Sequence, residues 1–108
     1  MPTVPTLPGI HSRMVQTPRL AMHVLSSGAA GVPVIFVHGN ASSATYWEDV
    51  MLALPPALRG LAPDLRGYGD TEDKTIDATR GTGDFVDDLL ALMDALDIER
   101  AHFAGHSM

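Results

Sequence analysis

The stretch Val32-Pro33-Val34-Ile35-Phe36-Val37-His38-Gly39-Asn40 reads as a buried strand that runs out into a polar loop. Residues 32–37 are continuously apolar and rich in β-branched side chains. This is the pattern of a strand covered on both faces of a parallel sheet, where neither face meets water and alternation disappears. In open α/β sheets, ligands and chemistry gather at the carboxyl ends of the strands. The residues after Val37 are therefore candidates for a site as well as a turn.

Working outward, residues 12–16 and 20–25 alternate loosely around Thr17-Pro18-Arg19, which predicts two short strands joined by a tight turn. A Pro-rich lead (Pro2, Pro5, Pro8) precedes them, and residues 26–31 form a Ser/Gly/Ala connector to the buried strand. On the other side, Trp47, Val50, Met51 and Leu54 fall at helical spacing, and Pro55-Pro56 stops that helix. Residues 58–63 are a second short buried run, and residues 64–80 are polar and Gly-containing, which predicts a long surface loop. Asp84 is the expected N-cap of a stronger helix, in which Phe85, Leu89, Leu92, Met93 and Leu96 share one stripe. Asp87, Asp88 and Asp94 lie mostly off that stripe. Residues 100–104 give a last short strand. Two antiparallel strands followed by β-α-β-α-β predict an α/β fold with a mainly parallel sheet.

Composition narrows the function. The chain has 108 residues, 45% of them hydrophobic, with 13 acidic against 7 basic residues and a formal net charge of −6. That is globular and acidic, with no electrostatic footprint for DNA or RNA, so no nucleic-acid partner is expected. Cysteine is absent, which removes disulfides, thiolate zinc sites and cysteine nucleophiles. No apolar run approaches the roughly 20 residues of a membrane span, and the start lacks a secretory leader, so a cytoplasmic protein without a membrane partner is expected. All the acids lie between Glu48 and Glu99, which reads as a solvated helix face rather than an acidic interaction site. The chain stops directly after its last apolar run. Residues 1–108 are accordingly expected to be the N-terminal portion of a single domain, whose C-terminal remainder is its first partner. Nothing in the sequence sets an oligomeric state.

Three strand ends carry candidate chemistry. Gly105-His106-Ser107-Met108 supplies four of the five positions of G-x-S-x-G, a tight strand-to-helix turn that lifts a serine hydroxyl above the sheet edge. Acyl transfer generates an oxyanion, and two backbone N–H groups aimed at it lower the barrier by several kcal/mol. Met108, after the serine, and Asn40, in the loop after the first buried strand, are the simplest donors, and Gly39 lets the backbone approach a ligand. The third strand end is Asp64-Leu65-Arg66-Gly67-Tyr68-Gly69.

VIFVHGNASSATYW, APDLRGYGDT and HFAGHSM, in this order, resemble the three consecutive signatures of the α/β-hydrolase superfamily. The resemblance runs from about Met14 to Met108. It implies an α/β-hydrolase fold, incomplete in this chain and ending at the nucleophile elbow, with two antiparallel strands leading a mainly parallel sheet. It implies Ser107 as nucleophile and the amides of Asn40 and Met108 as the oxyanion hole. His38 and Gly39 belong to the oxyanion loop, and Gly105 and His106 to the elbow. Asp64, Arg66, Gly67 and Gly69 match the signature that organises the second loop, with Thr71 where Ser is commoner. A buried Asp64–Arg66 pair holding that loop is expected, rather than Asp64 as a triad acid. The His38-Gly39-Asn40 loop with Trp47 is also similar to haloalkane dehalogenases. Those enzymes and epoxide hydrolases use an Asp nucleophile where this chain has Ser107.

The implied activity is serine-dependent hydrolysis of a small, largely apolar ester, lactone or related carbonyl substrate, with no metal or organic cofactor. Family order is nucleophile, acid, histidine, whereas His11, His23, His38, His102 and His106 all precede Ser107. The acid and base are therefore expected in a continuation of roughly 150 residues, and the 108-residue chain alone is expected to be inactive. A hydrolase-fold binding protein or receptor without turnover, or an inactive fragment, are the alternatives. Smaller features read as structural. His102 and His106, four apart on a strand, do not converge on zinc, and Gly81-Thr82-Gly83 lacks the rest of a phosphate loop. Met22, Met51 and Met93 read as core, and Trp47 as helix packing.

Overall fold

The computed structural model describes residues 6–28 and 30–106. Strands β1 (Ile10–Gln16) and β2 (Ala21–Ser27) form a hairpin, followed by β3 (Val32–Val37). A 3-10 turn over Ala44–Trp47 leads into helix α1 (Glu48–Leu52), and β4 (Leu58–Pro63) comes next. A second 3-10 turn (Ala78–Arg80), helix α2 (Gly83–Ala95) and β5 (His102–Gly105) complete the described residues. The hairpin turn is closed by Thr17, whose hydroxyl donates to Leu20 O at 2.8 Å and accepts from the amides of Arg19 and Leu20.

The five strands lie in the order β1-β2-β4-β3-β5. β1 and β2 pair antiparallel, as do β2 and β4, while β3 runs parallel to both β4 and β5. The middle of β3, Val34–Phe36, is covered on both faces, whereas Val32 at its start is exposed, so the apolar run is longer than the buried part of the strand. Ile35 packs with Met22, Val24, Leu61 and the α2 residues Leu89, Leu92 and Met93. Its neighbours Val34 and Phe36 point the other way, to Leu25, Ala62, Trp47 and Met51. Each buried Val, Leu, Ile, Phe or Met among them contributes about 1.5–3 kcal/mol by burial. α1 can approach β4 closely because residue 60 is glycine: a Cβ there would stand 2.7 Å from Met51 Cγ.

Several local expectations need correction. The first helix opens as a 3-10 turn, and Val50 of its stripe is exposed, so Trp47 and Met51 do the packing. Thr82, not Asp84, is the N-cap of α2, and Asp84 sits inside the first turn. There its carboxylate accepts from the Asp77 amide at 2.7 Å and pairs with Arg19 and Arg80. Asp88, placed off the apolar stripe, is fully buried because it is an ion-pair partner rather than a solvated group. With Glu48, Asp64 and Asp84 also buried, the acidic half of the chain is not simply a solvated face. α2 ends in a Schellman arrangement: the Ile98 amide donates to Met93 O at 2.8 Å and the Asp97 amide to Asp94 O at 3.1 Å. Asp97 takes the left-handed position usually given to glycine, at φ 58°. No helix among the described residues is long and apolar enough to cross a membrane.

Candidate active site at the carboxyl ends of the strands

Parallel pairing brings the candidate loops together. β3 and β5 are in register with Val37 opposite Gly105, and the His106 amide donates to Val37 O at 3.1 Å. The loop through His38, Gly39 and Asn40 and the strand end at Gly105 and His106 thus lie side by side. Ser107 and Met108 lie outside the described residues. The His106 ring rests against Tyr46, with centroids 4.8 Å apart.

His38 is fully buried and both its ring nitrogens are engaged. Nε2 accepts from the Leu65 amide at 3.0 Å, so Nδ1 carries the proton and donates to Gly39 O at 2.8 Å. This histidine ties the loop after β3 to the loop after β4, and neither nitrogen is left to act as a base. Tyr68 packs edge-on against its ring at 5.0 Å and donates its hydroxyl to Asn40 Oδ1 at 2.5 Å. The Asn40 amide itself enters none of the hydrogen bonds among the described residues. Ala41 follows in the left-handed region at φ 54°, a conformation that costs a non-glycine residue about 1–2 kcal/mol and fixes the exit of the loop.

Asp64 is the hub of the second loop, but not through Arg66. The expected Asp64–Arg66 pair does not form. Asp64 Oδ2 lies 2.7 Å from His23 Nδ1 and accepts from the Asp70 amide at 3.0 Å, while Oδ1 accepts from the Ala44 amide at 2.7 Å. Burial alone would raise this carboxyl; the bonds from His23, Ala44 and Asp70 outweigh it and hold the group below its ordinary value. Arg66 instead makes a two-pronged pair with Asp88, Nε to Oδ2 at 2.9 Å and Nη2 to Oδ1 at 2.8 Å. Its Nη1 donates to Thr75 O at 2.7 Å, strapping the loop to α2. Residues 64–66 are therefore buried, and only the later part of the expected surface loop faces water.

Gly69 is required by this packing. At φ +52° it turns directly under Asp64, where a Cβ would fall 2.2 Å from Oδ2. Gly67 is also left-handed, at φ +77°. Thr71 uses its hydroxyl twice, donating to Asp64 O at 2.6 Å and accepting from the His23 amide at 2.9 Å. A hydroxyl is what the position needs, so threonine serves where serine is commoner. His23, Tyr68 and Asp88 are the site-supporting residues that sequence reasoning missed. A histidine inside the apolar run Leu20–Leu25 was the one available signal.

Comparison with known proteins agrees with this architecture. A family model described as alpha/beta hydrolase fold matches residues 32–108. An epoxide hydrolase of Siraitia grosvenorii is 35% identical over 98 residues, covering 90% of this chain and 31% of that protein. A haloalkane dehalogenase of Mesorhizobium japonicum is 40% identical over 77 residues, covering 71% of this chain and 24% of that protein. The chain thus spans about a third or less of these relatives' lengths. The crystal structure of an epoxide hydrolase from Vigna radiata superposes with a TM-score of 0.82 at 35% identity, over 92% of this chain and 32% of that one. With the three signatures standing on adjacent strand ends of a mixed sheet, this chain belongs to the α/β-hydrolase fold family.

Proposed function

We propose that this chain is the N-terminal portion of a serine hydrolase that cleaves a small, largely apolar ester, lactone or related carbonyl compound through an acyl-enzyme. The observation that carries the reading is the pairing of Val37 with Gly105, capped by the His106-to-Val37 hydrogen bond, which sets the Asn40 loop beside the strand end that precedes Ser107 in the sequence. In this reading Ser107 Oγ attacks the carbonyl carbon while its proton passes to a histidine supplied by the remainder of the protein. The amides of Asn40 and Met108 receive the developing oxyanion. Collapse expels the alcohol, which takes the proton from that histidine, and water activated by the same base then releases the acid. The strain at Ala41 and the tie through His38 support a loop held in one conformation before substrate arrives.

The relatives named as epoxide hydrolases and a haloalkane dehalogenase bear on the choice of nucleophile, because a serine at position 107 forms an ester with an acyl group rather than an alkyl group. The test is fluorophosphonate labelling of the whole protein with peptide mapping. Labelling at Ser107, lost in Ser107→Ala together with esterase activity, is expected. A well-folded protein that is unlabelled at Ser107, or that keeps full activity in the variant, overturns the assignment.

A further inference from the structure

A second serine stands in a nucleophile–base–acid arrangement away from the strand ends. Ser12 Oγ, on β1, lies 2.6 Å from His23 Nε2, on β2, and His23 Nδ1 lies 2.7 Å from Asp64 Oδ2. An ionised Asp64 can only accept, so Nδ1 carries a proton, and whenever the ring is neutral that proton is its only one. Nε2 is then a bare acceptor that takes the Ser12 hydroxyl proton. His23 and Asp64 are buried, at 1% and 2% exposure, whereas Ser12 is exposed. The base is thus locked in orientation, and its bond to the serine lies at the boundary between the buried histidine and an exposed residue. A base within hydrogen-bond reach of a hydroxyl, itself oriented by a third group, is the signature of an activated nucleophile. β1 is also the edge of the sheet among the described residues, so its outward main-chain amides are available beside Ser12.

We infer that Ser12, His23 and Asp64 form a second reactive-serine site that accepts acyl or phosphonyl groups from activated donors, independently of Ser107. With a fluorophosphonate, Ser12 Oγ bonds to phosphorus, fluoride leaves, and the hydroxyl proton passes through His23 Nε2 to water. With an aryl ester, the acyl group moves to Oγ and the phenolate departs with that proton. Activated donors carry a good leaving group and need no enclosing cavity, so they are the donor class assigned to this site.

The test uses the whole protein in a Ser107→Ala background, labelled with fluorophosphonate-biotin and mapped by peptide mass spectrometry. Label on the peptide carrying Ser12, abolished by Ser12→Ala, supports the inference; absence of label there overturns it, and leaves the role of Ser107 untouched. Because His23→Gln removes a buried partner and can unfold the protein, a second measurement keeps the base in place. Ser12→Cys is alkylated with iodoacetamide at pH 7 and compared with Gln16→Cys on the same strand. A thiol whose pKa falls by about 1.5 units gains roughly 15-fold in thiolate and loses roughly fivefold in nucleophilicity, so a net gain of about threefold is expected. Equal alkylation rates would show that His23 does not activate position 12.

Discussion

Replacing Asp88 by asparagine is expected to destabilise the fold by about 3–4 kcal/mol. The fully buried carboxylate receives three charged N–H groups: Arg66 Nε at 2.9 Å, Arg66 Nη2 at 2.8 Å and Arg19 Nε at 2.7 Å. Asparagine keeps one acceptor oxygen and turns its NH2 toward a guanidinium that can only donate. At least one charge-assisted bond of about 1.5–3 kcal/mol is then lost, and the buried Arg66 is left with an uncompensated charge. Arg19 adds less, because its side chain is 32% exposed and water screens it. Urea unfolding of the whole protein, compared at constant m-value, measures the loss. A double-mutant cycle with Arg66→Gln separates pair from background: once Arg66 is neutral, Asp88→Asn should cost less than half as much. A loss below 1 kcal/mol, or simple additivity of the two substitutions, would refute the view that this pair straps the loop to α2.

Gly69→Ala combines a left-handed φ with a Cβ 2.2 Å from Asp64 Oδ2. It is expected to cost more than about 3 kcal/mol in thermal or urea unfolding, against about 1 kcal/mol for backbone conformation alone. Asp64 stabilises the folded state through a carboxyl held below the ordinary value of 3.8. Its contribution is complete above that value and is lost as pH falls through the lower folded pKa. Asp64→Asn should therefore lower stability at neutral pH and flatten the acid limb of a stability–pH curve, and an unchanged limb would contradict the hub. Asp97→Gly, at φ 58° in the Schellman turn, is expected to stabilise by about 0.5–1 kcal/mol, read as a raised midpoint in urea.

Elements with a strong local period were legible. Val34, Ile35 and Phe36 announce a strand covered on both sides, and Leu89, Leu92 and Met93 announce the buried stripe of α2. The partners of charged groups were not. Asp64 and Arg66 are two residues apart and invite pairing, yet their partners are His23 and Asp88, 41 and 22 residues away. The first follows from β2 lying against β4 and the second from α2 packing over the loop after β4, and neither arrangement is encoded by local spacing. The Asn40–Tyr68 bond escaped for the same reason: it joins two loops that meet only because β3 and β4 are neighbours.

The carboxylate of Asp64 touches the amide that opens the segment after the Asn40 loop, the amide of Asp70 and the imidazole of β2. Three stretches distant in sequence are therefore tied to a single side chain. For anyone reshaping specificity, a library confined to residues 38–44 and 64–71 omits His23, one of the side chains that hold both. Because that position in the hairpin is bonded to the carboxylate that both loops share, a library that varies it has to keep a partner for Asp64.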